Sequence, residues 1–255
     1  LRGISLPGVP HPPESRLTEQ AARGRALQEQ QPAFSLVLPA YNEEAVLGPV
    51  LSTLVQAFPN SEIILVSDGS TDGTPNVAAI YSPQVRTIHY RPNRGKGHAI
   101  RQGMLAATGD IVAFTDADLP FGADGIRHVL AVLAKHPTCD IAIAAKTHIR
   151  RGLAYRAARV IARLGIRLLT GLAHPDTQAG LKAFRRRAAR SIYTRTCIDG
   201  FASDIEVLFI AKRSGLRVES VLLPLTTAFD RPSRFGLGQG IRLLLDVGRI
   251  RRGRY

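Results

Sequence analysis

Short apolar runs that open onto loops dense in Asp, Asn, Glu and Gly constrain this chain more than any other feature. FSLVL (34–38) runs into PAYNEE, EIILVSD (62–68) into DGSTDG, and DIVAFTD (110–116) into ADLP. VRTIHY (85–90) and CDIAIAAK (139–146) are further runs of strand length. Between them lie a helical stretch over about 44–57 and the segment NRGKGHAIRQGMLAATG (93–109), a loop entering a helix that Gly109 closes. Short apolar strands alternating with helices specify an α/β fold with a mostly parallel central sheet flanked by helices. In such sheets ligands bind at the carboxyl ends of the strands. The polar loops at 39–44, 68–73, 91–97 and 116–120 all fall there, which makes that edge the candidate site.

At 255 residues and 45% hydrophobic content, the chain is long enough to bury a sizeable core. One domain is expected over 34–255. Residues 1–33 hold 5 of the 16 prolines and read as a weakly structured lead-in, with room for a short helix over 14–30. Cys139 and Cys197 form no C-x-x-C, so a zinc knot or redox pair has little support, and two packed thiols are expected. The longest stretch without a charged residue, 45–61, contains Pro49, Gln56, Pro59 and Asn60, which is no membrane span. The first residues, LRGISLPGVP, hold no apolar core of signal-peptide length.

The net charge is +14 and unevenly placed: residues 145–195 carry 13 Lys/Arg against one acid, Asp176. Such a field attracts phosphates, whether on nucleic acid, lipid head groups or small substrates. Over 153–172, Leu153, Ala157, Val160, Ile161, Leu164 and Leu168 share one helical face, flanked by Arg156, Arg159, Arg163 and Arg167. That is a basic amphipathic helix: either a surface helix with solvated arginines, or a contact for an anionic membrane surface or lipid-linked phosphate. The basic residues are not interleaved with aromatics and no recognition motif is present, so nucleic acid is not an expected partner.

Two carboxylates one residue apart at a strand's exit, Asp116 and Asp118, can converge on Mg²⁺ or Mn²⁺ while leaving coordination positions for phosphate oxygens. Asp68, ending the second strand, can accept from a base or ribose, or can simply make an Asp-Gly turn. Tyr41 can stack on a base and Glu43 can bind base or ribose. The plainer alternative is a helix start that Asn42 caps and the glutamates favour.

Taken together, PAYNEE, SDGSTDGT, NRGKGHAIRQG and FTDADLP resemble glycosyltransferase family 2, which has the GT-A (nucleotide-diphospho-sugar transferase) fold. The second half narrows the likeness. Asp176-Thr177-Gln178-Ala179-Gly180-Leu181-Lys182 is similar to the D-T-Q-x-G-x-K motif of dolichyl-phosphate mannose synthases and dolichyl-phosphate glucosyltransferases. Residues 200–206, GFASDIE, resemble their aromatic-containing D-x-E segment, and Ser233-Arg234 stands where they usually have Ser-Lys. The ending GIRLLLDVGRIRRGRY resembles the basic C-terminal helix of the glucosyltransferase branch, expected here over about 236–250.

The resemblance implies that Pro39, Ala40, Tyr41, Glu43, Asp68, Asp116, Ala117, Asp118, Arg231 and Arg234 bind the nucleotide sugar, with Asp116 and Asp118 holding the metal. It places Asp118, Asp204 and Gln178 in catalysis, with Asp204 and Glu206 behind Gln178. Lys146, Arg150, Ser233 and Arg234 would meet the acceptor phosphate. The implied reaction is inverting, metal-dependent transfer of a hexose from UDP-glucose or GDP-mannose to a polyprenyl phosphate, by a peripheral protein on the cytoplasmic face of a membrane or in the cytoplasm. The alternative is a soluble family 2 enzyme acting on a hydroxyl, with Asp176 or Asp204 as base. The sequence departs from the pattern at Pro120, at Ala145-Lys146-Thr147-His148 in place of Gly-Ser-Arg, and mildly at Ala179 and Leu181.

Overall fold

The computed structural model describes residues 34–147, 166–168, 170–172, 179–200, 202–226 and 237–253. Its centre is a seven-stranded sheet built from β1 (Phe34–Ala40), β2 (Glu62–Asp68), β3 (Val85–Tyr90), β4 (Ile111–Thr115), β5 (Ile141–Lys146), β6 (Leu181–Arg185) and β7 (Val218–Leu223). The spatial order is β3-β2-β1-β4-β6-β5-β7. β1 pairs in parallel with β2 and β4, β2 with β3, and β5 with β7. Only β6 runs the other way, antiparallel to both β4 and β5. Six strands therefore end at one edge of the sheet, and β6 begins there.

Both faces are covered, which explains why the strands read as unbroken apolar runs. Leu36, Leu38, Ile63 and Leu65 pack on one face against Leu47, Leu51 and Leu54 of α1 (Glu44–Ala57) and Ile126 and Val129 of α4 (Gly122–Lys135). Val37, Ile64, Val66 and Phe114 point to the other face. There they meet Ile100 and Met104 of α3 (Lys96–Ala106), Ile192 of α5 (Arg186–Tyr193) and Val207 of α6 (Ser203–Arg213). The alternation Leu36, Val37, Leu38 across the two cores is the two-residue period of a strand buried on both sides. A short α2 (Thr74–Ala79) follows β2. The terminal α7 (Leu237–Arg252) places Val247 and Ile250 in a third cluster with Ile166, Leu172, Ile205 and Leu208.

Some local expectations are corrected. Gly109 does not close α3. The helix ends at Ala106 with extended backbone at Ala107, and Gly109 donates instead to Ser35 Oγ at 2.8 Å. Asn42 does not cap α1. Glu43 is the N-cap residue, and Asn42 takes a left-handed φ of 54° with its Oδ1 accepting from Thr71 N at 2.8 Å. The two thiols are not both packed: Cys139 is buried and Cys197 exposed, and neither is in a disulfide. No separate element is expected from the sequence at β6, β7, α2, α4, α5 or α6. Residues 1–33 and most of 152–172 lie outside the described residues.

Candidate active site

The site is built where β4 leaves the sheet. The ladder between β4 and β6 ends at Thr115 opposite Leu181 and is extended by one bond, Asp116 N donating to Gly180 O at 3.0 Å. The chain then turns sharply. Leu119 N donates to Asp116 O at 3.0 Å, and Leu119 is buried with a φ of 44°, a backbone state costly for a leucine. The D-x-D segment is thus held in a strained turn by its own backbone and by the buried Leu119 side chain. Thr226 N donates to Pro120 O at 2.9 Å, tying the segment after β7 to the same turn. The absence of a side chain at Gly180 leaves the Asp116 carboxylate its place, since a Cβ there would lie 2.3 Å from Asp116 Oδ2.

Within this corner the two carboxylates differ. Asp116 Oδ1 is ion-paired with Lys96 Nζ at 2.6 Å. Asp116 Oδ1 and Asp118 Oδ1 are both buried without a hydrogen bond of standard geometry, but only Asp116 Oδ1 has a cation against it. Burial, with the Asp116 charge adding to it, raises the Asp118 carboxyl above the usual carboxylate range. Burial works against the Lys96 charge, but Asp116, Asp204 and Asp118 overcome it and hold the ammonium well above its usual range. One lysine facing two carboxylates leaves one unit of negative charge uncompensated. An orphaned carboxylate oxygen beside a second carboxylate fits a hard divalent cation. Among the described residues no cluster of three or more His, Cys, Asp or Glu is present, and Asp116 and Asp118 are the pair placed to hold such an ion with positions left open for phosphate oxygens.

The neighbouring strand ends form a braced wall. Asp68 is almost wholly buried, and its carboxylate accepts from Asn93 Nδ2 at 3.0 Å, Arg94 N at 2.8 Å and Gly95 N at 2.8 Å. Gly69, at φ 65°, allows the 92–93 backbone to approach so closely that a Cβ would meet Asn93 N at 2.2 Å. Asp68 therefore anchors the 93–95 loop, a role the sequence did not reveal, whatever it also offers a ligand. Loops 40–44 and 70–74 are laced together. Asn42 N donates to Ser70 Oγ, Glu43 N to Thr74 Oγ1, Glu44 N to Asp72 Oδ2 and Gly73 N to Glu44 Oε2. Pro39 and Ala40 end β1, and Tyr41 projects from this frame 40% exposed, a free ring at the site's rim.

The D-x-E segment lies deeper. Asp204, 5% exposed, is salt-bridged by the buried Lys182, whose Nζ also donates to Ala179 O at 2.8 Å. Glu206 accepts from Cys197 N and Ile198 N at 3.0 Å each, fixing the chain before α6. Both carboxylates are thus engaged in holding β6, α6 and the 197–198 segment together. Lys146 ends β5 at the same sheet edge, half-buried. The structure brings Pro39, Ala40, Tyr41, Glu43, Asp68, Asp116, Ala117, Asp118 and Lys146 to one edge. Arg150, Asp176, Gln178, Arg231, Ser233 and Arg234 lie outside the described residues. Lys96 received no role from the sequence, although its motif NRGKG stood out. A lysine at a helix's first position, where the helix dipole disfavours it, was the available signal.

Residues 35–193 match the pattern of glycosyl transferase family 2. The chain belongs to that family. It is 37% identical over 215 residues to a dolichyl-phosphate beta-glucosyltransferase of Drosophila melanogaster, covering 74% of this chain and 65% of that protein. It is 33% identical over 207 residues to the enzyme of the same name from Homo sapiens, covering 70% and 63%. The chain thus spans just under two thirds of the length of these relatives. A crystal structure of glucosyl-3-phosphoglycerate synthase from Mycobacterium tuberculosis with Mn²⁺, UDP and phosphoglyceric acid superposes with a TM-score of 0.69 at 24% identity, over 88% of this chain and 78% of that one. That likeness establishes the GT-A fold that the family resemblance implied.

Proposed function

We propose that this chain transfers glucose from UDP-glucose to a polyprenyl phosphate, inverting the anomeric carbon. The observation that carries the reading is the Asp116–Asp118 corner, with its buried, unpartnered oxygen at the exit of β4. Asp116 and Asp118 would hold Mg²⁺ or Mn²⁺. The ion, when bound, supplies positive charge to the departing diphosphate. The names of the curated relatives favour glucose, and the UDP in the structural neighbour favours a uridine donor; nothing comparable supports GDP-mannose. In this reading Tyr41 covers the base, the laced 40–44 and 70–74 loops fix the floor beneath the nucleoside, and Asp68 keeps the 93–95 loop close. A single in-line displacement gives a β-linked product from an α-linked donor.

The acids support a phosphate acceptor. A hydroxyl acceptor needs a general base, and Asp204, one of the two acids the alternative reading assigns to that work, is buried and salt-bridged to Lys182. A phosphate oxygen is already anionic at neutral pH and needs only positioning and desolvation. Lys146 at the site edge, with Arg150, Ser233 and Arg234, would attract it, and Gln178 would sit near the sugar. Peripheral membrane attachment fits the exposed Leu168, Leu245, Arg249, Arg251 and Arg252 on elements packed around α6. Among the described residues no helix is long and apolar enough to cross a membrane. The test is incubation with a panel of radiolabelled nucleotide sugars, polyprenyl phosphate and Mg²⁺ or Mn²⁺. Label from UDP-glucose in the chloroform-soluble fraction supports the reading; label that stays water-soluble supports the hydroxyl alternative.

A further inference from the structure

Lys96 is the first residue of α3, a position where the helix dipole penalises a positive charge and where no acid in the first turn offsets it. Its place therefore does not serve the helix. Its side chain reaches across to the exit of β4 and puts an ammonium 2.6 Å from Asp116 Oδ1, while the adjacent Asp118 Oδ1 goes unpartnered. Lys96 is only 23% exposed and Asp116 only 31%, so the pair is shielded from bulk water. The oxygen that Lys96 occupies belongs to one of the two carboxylates a divalent ion would use. An ammonium and a divalent ion cannot share it without strong repulsion at short range.

Resting on the function proposed above, we propose that Lys96 is a placeholder cation: it occupies Asp116 until a divalent ion arrives, and the ion binds only as Lys96 gives that oxygen up. The acids whose charges reach the ammonium are then all engaged, Asp116 and Asp118 by the ion itself. Asp204 is taken by Lys182, and Asp199 by Arg101 at 2.6 Å. An arriving diphosphate supplies the missing anion. Ion and nucleoside diphosphate therefore bind cooperatively: each is weak alone, because alone the ion must displace Lys96 into a site with no counter-charge, and alone the diphosphate meets two carboxylates. By linkage, the factor by which UDP tightens the ion equals the factor by which the ion tightens UDP. The corner thus stays closed to free metal and loads only when the donor is present.

The test is direct Mn²⁺ titration of the full chain, read by the electron paramagnetic resonance signal of free Mn²⁺, with and without saturating UDP. Wild type is expected to bind Mn²⁺ about tenfold or more tightly with UDP than without. Lys96→Met is expected to bind Mn²⁺ without UDP about fivefold more tightly than wild type, with most of the UDP effect gone. Lys96→Arg, which keeps the charge, is expected to retain weak binding of Mn²⁺ alone. Circular dichroism establishes that each variant is folded. Unchanged or weaker Mn²⁺ binding by folded Lys96→Met overturns the placeholder role while leaving the proposed reaction standing. Wild-type binding that is tight without UDP and indifferent to it overturns the placeholder role without any variant. If wild type binds no Mn²⁺ even with UDP, the metal corner fails and the placeholder with it.

Discussion

The amide of Asp116 donates to the carbonyl of Gly180 at 3.0 Å, so the acid that ends β4 and the residue that leads into β6 form one corner. Two stretches 64 positions apart in sequence, FTDADLP and DTQAGLK, are thereby joined by backbone alone. The antiparallel β6 makes this possible, because only a strand running against β4 can begin where β4 ends.

That junction leaves no room for a side chain. A Cβ on residue 180 would stand 2.3 Å from Asp116 Oδ2 and 2.9 Å from its Cγ, so the carboxylate must turn aside. Gly180→Ala is expected to fold, to lose about tenfold or more in kcat/KM, and to need a higher Mn²⁺ concentration for half-maximal rate. An unaltered Mn²⁺ requirement in steady-state assays would show that the Asp116 carboxylate is not set by this contact.

Asp118 carries its charge against burial and against Asp116. A carboxyl raised in the folded state costs no stability below its unfolded value, about pH 4; the cost grows as pH climbs from there to its folded value and is constant above it. Asp118→Asn removes that cost. The variant is expected to melt higher than wild type at pH 7 without metal, with the gain shrinking to nothing as pH falls towards about 4. Turnover is expected to fall about a hundredfold or more, the size of loss seen when a group stabilising developing charge is removed. Melting scans across pH beside rate assays check both halves; a variant less stable than wild type at pH 7 would contradict the account.

Lys182 and Asp204 form the buried pair that fastens β6 to α6, with the Lys182 ammonium also 5.1 Å from the centre of the Phe114 ring. Lys182→Met leaves Asp204 as an unpaired buried charge and is expected to destabilise the fold by about 3–5 kcal/mol. The double change Lys182→Met with Asp204→Leu removes both charges and is expected to recover much of that loss. Urea unfolding of the two variants and wild type decides it. A double variant no more stable than the single one would mean that the pair is not the fastening.

The sequence carried most of the fold's first half because each strand there is a continuous apolar run ended by polar residues, as with EIILVSD before Gly69. It did not disclose β6 and β7. LKAFR places a lysine and an arginine in five residues, and VESVLL alternates on a half-exposed edge, so neither shows the run of a doubly buried strand. The D-x-D acids were legible because their spacing and their place after a strand are local. The partners that set their chemistry, Lys96 and Gly180, come from distant loops, and no local pattern foretold that they meet. Asp68 was legible as a strand-end acid, but its work in holding Arg94 and Gly95 depends on a β2–β3 register that only the folded sheet defines.

The proposed transfer depends on a cation held between Asp116 and Asp118 beside the donor diphosphate. A crystal of the full chain grown with Mn²⁺ and UDP-glucose, with data collected at the manganese absorption edge, measures this directly. One anomalous peak is expected within coordinating distance of both carboxylates and of a diphosphate oxygen, with Lys96 Nζ no longer on Asp116. A bound sugar nucleotide with no peak at that corner, or a peak ligated elsewhere, would contradict this dependence.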